Sequence, residues 1–165
     1  MNENGTGKKT SGKGVKMGEE QADNPNGCLN RRSNLDMDWH EQYNTGISEI
    51  DSQHRYFLGL IKRIDAIMES KKEHTYCQRL LMELVHYTKF HFYSEENLMM
   101  HYDYPDIKEH HSLHLDLIDE LTNEVNLMGE NMDDYRQFIE FLVKWFVNHS
   151  MEEDKKIASY LKGDV

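Results

Sequence analysis

Few residues in this chain can build a covalent framework or grip a nucleic acid. Only two cysteines, Cys28 and Cys77, occur in 165 residues, and they form no Cys-x-x-Cys pair. That usage indicates neither a disulfide scaffold nor a thiolate metal site, and it suits a reducing cytoplasm. No apolar run approaches the roughly 18 residues that a membrane span requires. The early lysines are not followed by an apolar stretch, so no secretory leader is apparent. A net charge of −11 with no basic face argues against a nucleic-acid partner. Acidity of this kind reads as solubility. The length fits one domain with a working core.

The apolar residues are unevenly spread. Residues 1–37 read as a flexible N-terminal tail or linker, with six of the ten glycines falling by position 27. A segment with so little to bury does not recover its ordering entropy. Its basic residues, Lys8, Lys9, Lys13, Lys16, Arg31 and Arg32, offer a possible contact to a protein partner.

From Trp39 onward the pattern is helical. Ile50, His54, Phe57, Ile61, Ile64 and Met68 alternate steps of three and four, the signature of one buried helix face. After the polar SKKEHT stretch, Leu81, Leu84, Thr88, His91, Glu95 and Leu98 define a second face. That helix is expected to stop before Pro105, because the residue preceding proline resists the α region. Asp106 can cap a third helix with His110, His114, Leu117, Leu121 and Val125 inward. Gly129 and Asn131 mark a turn, and a fourth helix carries Phe138, Leu142, Trp145 and His149. No strand-like alternation competes. The expected fold is all-α, an antiparallel up-down-up-down four-helix bundle over residues 38–165, behind the N-terminal extension.

What this core contains is unusual. His54, His91, His110, His114 and His149 each stand where a leucine or isoleucine belongs, and Glu95 and Asp154 accompany them. His91 and Glu95 are four apart, as are His110 and His114, so each pair shares a helix face. His149 and Asp154 are five apart. Five steps advance about 500°, which aims Asp154 some 140° away from His149 on a regular helix. Both can serve one site only if the last turn deviates or the helix tilts, and one of the two is expected there. Burying these groups without partners costs several kcal/mol each, and metal coordination removes that cost. Seven imidazole and carboxylate ligands suit two ions bridged by carboxylates better than a four-ligand structural zinc. Glu83 and His86 have the Glu-x-x-His spacing of ferritin-like di-iron bundles but lie outside the cluster, so that family fits poorly.

Trp39, GISEIDSQH, YTKFHFYSEENLM, YPDIKEHHSLH and WFVNHSMEED together resemble the signature of the hemerythrins, of the bacterial type, across about residues 38–161. The resemblance implies two non-haem irons, oxo- or hydroxo-bridged, that bind dioxygen reversibly. By position, His110, His114 and His149 would hold one iron. His54 and His91 would hold the other, which keeps an open coordination place, and Glu95 and Asp154 would bridge them. Phe57, Phe92, Trp145 and Val147 are the expected walls of the oxygen pocket. Ser150 departs from the aliphatic residue usual there. The expected role is carrier, store or delivery protein. The alternative is a sensor of oxygen, nitric oxide or redox state acting through the N-terminal segment. No acid or base stands apart from the ligand set, so no enzymatic activity is expected. His40, His74, His86, His101 and His111 are expected to lie outside the site, with His86 half-buried.

Overall fold

The computed structural model describes residues 35–70, 74–130 and 135–163. The expected tail, its basic residues and Cys28 therefore fall, up to residue 34, outside the described part. The expected boundary at residue 37 lies within packed chain, because Leu35, Met37 and Trp39 already rest against the core.

Four long helices form the bundle: α1 Ser48–Ser70, α2 His74–His101, α3 Ile107–Glu130 and α4 Tyr135–His149. A π-helical turn, Ser150–Asp154, joins α4 to the short α5, Lys155–Lys162. α1 packs on α2 and α4, while α3 packs on α2 and α4, which closes a ring of four. The early α1 residue His54 meets the late α2 residue His91, and the early α3 residue His114 meets the late α4 residue His149. Neighbours are therefore antiparallel, as the short links require. Among the described residues no helix is long and apolar enough to cross a membrane.

The bundle sorts its interior by length. Leu60, Ile61, Ile64, Leu80, Leu81, Leu84, Leu121, Ile139 and Leu142 are almost wholly buried and fill one end. The polar site occupies the other. Two residues expected inward are only half-buried: Leu117, which still packs on the core, and Leu98, next to the fully enclosed Met99. Counting four on from Glu95 rather than three reaches Met99, which packs with Tyr104 and Ile157 under the α2–α3 turn.

The segments before α1 and after α4 brace the site end. A 3-10 turn, Glu41–Tyr43, brings Tyr43 against Phe146. The start of α1 is held by buried Asp51, whose carboxylate accepts from Thr45 N (2.7 Å), Thr45 Oγ1 (2.8 Å) and Gly46 N (3.1 Å). Gly46 sits at φ 82°, and a side chain there would also strike Lys162. Lys162 Nζ in turn donates to the Thr45 carbonyl at 2.5 Å, tying α5 to the entry of α1. Replacing Asp51 leaves two backbone donors and a hydroxyl without their acceptor. Asp51→Ala is expected to lower stability by about 2 kcal/mol in urea unfolding; a change under about 0.5 kcal/mol would show that the clamp is not needed.

Candidate metal centre

The seven polar residues expected at the site converge at one end of the bundle, and each is at most 6% exposed. α1 supplies His54, α2 His91 and Glu95, α3 His110 and His114, and α4 His149. Asp154 ends the π turn. Of the two departures expected, a deviating turn or a tilted helix, the structure has the first: a π turn closes over one more residue than an α turn. It brings Asp154 back to the face of His149, and Asp154 Oδ1 lies 3.1 Å from His149 Nε2.

The contacts divide into two groups, Glu95 with His110, His114 and His149, and His54 with His91, Glu95 and Asp154. Within each, the donor atoms lie within 4.8 Å of one another. Glu95 spans both. Its Oε2 lies 3.2 Å from His114 Nε2, 3.8 Å from His149 Nε2 and 3.9 Å from His110 Nε2. Its Oε1 lies 3.3 Å from His91 Nε2. Asp154 spans them as well, with Oδ1 toward His149 and Oδ2 3.1 Å from His54 Nε2. The ring nitrogens also crowd, His54 to His91 at 3.2 Å and His114 to His149 at 3.3 Å. Two donors about 2.1 Å from one ion and at right angles to it are about 3.0 Å apart, so these separations match ligands sharing a cation. Both oxygens of Glu95, both of Asp154 and His110 Nε2 are buried with no hydrogen-bond partner in the protein. Buried carboxylates left so are costly. The donor set fits metal ions, and iron is among those imidazole and carboxylate suit.

The protonation pattern is equally polarised. Burial, assisted by His54 and His149, pushes His91 down to about 4 against the pull of Glu95 and Asp154. For His149 burial acts downward too, but Asp154 and Glu95 outweigh it and hold the imidazole at about 9. Burial would raise Glu95, yet His91 and the three facing imidazoles hold it well below the usual carboxylate range.

Aromatic rings pack against the cluster. Phe92 lies flat on His114 at 3.7 Å between centroids, and Trp145 stands 6.5 Å from His149. Phe57 stacks on Phe146, which meets the His54 ring edge-on at 5.3 Å. Val147 is only half-buried and packs on the core. Phe146, its neighbour, was not singled out in the sequence, although it is the ring against His54. Buried Ser150 donates to the Phe146 carbonyl at 2.8 Å, so its hydroxyl is spent on the helix.

Two further residues escaped the sequence reading. Gln53 Oε1 lies 2.9 Å from His91 Nδ1, and Glu96 Oε1 lies 2.9 Å from His114 Nδ1. Each directly adjoins a ligand-type residue in sequence, a signal too common to use alone. Of the remaining histidines, His40 pairs with Asp36 at 2.7 Å. His74, His101 and His111 are exposed. His86 is exposed rather than half-buried, on a surface groove with Glu83. Glu83 binds Tyr56 and Arg63, away from the centre.

A four-helix bundle whose core is a cluster of histidines and carboxylates able to hold metal ions defines the class of protein. Residues 45–161 match the family model of the hemerythrin HHE cation binding domain, and the chain belongs to the hemerythrin family. It is 31% identical to a bacteriohemerythrin of Pseudomonas aeruginosa over 119 residues, 70% of this chain and 75% of that protein. A bacteriohemerythrin of Stenotrophomonas maltophilia is 28% identical over 127 residues, covering 75% and 80%. A myohemerythrin of Theromyzon tessulatum is 27% identical over 123 residues, covering 74% and 92%.

Metal binding is expected to be linked to pH through His149. With a pKa of about 9 in the metal-free protein, it carries a proton at neutral pH that a metal must displace. His91, held at about 4, is already neutral there. Metal affinity is therefore expected to rise up to about tenfold per pH unit from 7 to 9 on account of His149. Competition titrations with a chelator at pH 7 and 8 check this, and equal affinities would contradict it.

Proposed function

We propose that this protein binds dioxygen reversibly at two irons, as a carrier, store or delivery protein. His110, His114 and His149 hold one iron, His54 and His91 hold the other, and Glu95 and Asp154 bridge them. One observation carries the reading: each carboxylate turns one oxygen to each histidine set, and the sets are unequal, three against two. The His54 and His91 side therefore has one protein ligand fewer, which leaves room for a small exogenous ligand. Two ferrous ions at this site supply the electrons that reversible dioxygen binding needs.

The protein's own contribution is enclosure and charge. Phe57, Phe146 and Phe92 keep water from the histidines, and a dry site disfavours loss of charged oxygen species. Glu95 and Asp154 would offset about half of the positive charge that two ferrous ions bring. The names of the relatives support an oxygen-binding role, and a sensor would use the same centre with a partner to receive the signal.

Iron-loaded protein, reduced without air, is expected to gain a visible charge-transfer band with oxygen and to lose it on purging. His54→Ala, on the side with fewer ligands, should abolish the reversible band while leaving the three-histidine side able to hold metal. A band that never reverses in the wild-type protein, or one unchanged in His54→Ala, would overturn this reading.

A further inference from the structure

The two histidine sets differ in what lies behind them. His114 turns Nε2 toward the centre, 3.2 Å from Glu95 Oε2, so its Nδ1–H points outward. There it donates to Glu96 Oε1 at 2.9 Å. The Glu96 side chain is only 15% exposed. The same oxygen lies 2.9 Å from Nδ1 of His111, which is half-exposed on the surface of α3. On the other side His91 turns Nε2 inward, 3.3 Å from Glu95 Oε1, and its Nδ1 meets the neutral amide oxygen of Gln53 at 2.9 Å. Buried His54 and His149 have no partner in the protein at Nδ1. One half of the centre thus leans on a carboxylate and the other on an amide.

A carboxylate accepting from an imidazole N–H draws the proton outward and makes the opposite nitrogen a stronger donor. An amide does so weakly, since it carries no charge. We infer that Glu96 is a positioning residue that fixes the tautomer of His114 and makes the three-histidine ion the more strongly held and the harder to reduce. Gln53 leaves the His54 and His91 ion the more easily reduced of the two. The inference rests on the ligand assignment proposed above. It adds that an inequality of charge outside the ligands reinforces the inequality in their number. His111 keeps Glu96 in place from the solvent side by binding the same oxygen, and it touches no ligand itself.

The test uses two readouts that need no oxygen binding. Glu96→Gln keeps the acceptor oxygen and removes the charge. Titration of the metal-free full chain with cobalt(II) is expected to show about tenfold weaker binding at one of two sites. In iron-loaded protein, the midpoint potential of one iron is expected to rise by the same factor, about 59 mV for one electron. Gln53→Glu is the reverse experiment and does not depend on the first variant folding: one potential should fall. Cobalt affinity within twofold of wild type and both potentials within about 18 mV of it, in either variant, would overturn the inference. If wild-type protein binds cobalt but no iron, the dioxygen reading fails while the role of Glu96 is still decided by the cobalt titration.

Discussion

Two buried carboxylates govern this structure. Glu95 and Asp154 are 1% and 2% exposed, and neither has a hydrogen-bond partner within the protein. An ionised carboxylate in an apolar interior is tolerated only beside compensating positive charge. In the metal-free protein the His149 imidazole supplies part of that compensation, held protonated up to about 9 by Asp154 and Glu95, while Glu95 stays ionised well below its usual range. Cations between the donors supply it more completely, and every ring then presents a neutral nitrogen. The site is costly as a cluster of protein groups and favourable as a set of ligands.

The surrounding fold can be understood as the means of holding that arrangement rigid. The leucine- and isoleucine-rich end of the bundle provides the burial energy that the polar end does not. The Asp51 clamp and the Lys162 contact close the site end from both chain directions. The π turn departs from the regular helix where one carboxylate must be re-aimed, and it is compensated by the contact Asp154 gains with His54 and His149. Phe92, Phe57 and Phe146 replace water around the rings with hydrocarbon. Electrostatic interactions inside such an enclosure are stronger than at the surface.

Much of this was legible in the sequence for definite physical reasons. Steps of three and four residues located the helices, and histidines at otherwise apolar positions located the site. The five-residue spacing of His149 and Asp154 called for either a deviating turn or a tilted helix, and the π turn is the one found. What the pattern did not carry was the detail set by neighbouring helices. Leu98 and Met99 both suit the end of α2, and only packing against Tyr104 and Ile157 decides for Met99. Phe146, whose ring meets His54, and Trp145, whose ring stands near His149, are adjacent in sequence to the half-buried Val147, and only the packing of α4 on α1 separates their roles. Gln53 and Glu96 are polar residues beside ligand positions, ordinary on any helix, and acquire a role only when α1 meets α2 and α2 meets α3.

The account stands on the claim that Glu95 and Asp154 are shared between two ions. Elemental analysis of purified, iron-loaded full-length protein, set against protein concentration, tests it most directly. Two irons per chain are predicted, falling to one or none when Glu95 is replaced by alanine. One iron per chain in the unaltered protein, or none, would contradict the shared-carboxylate centre.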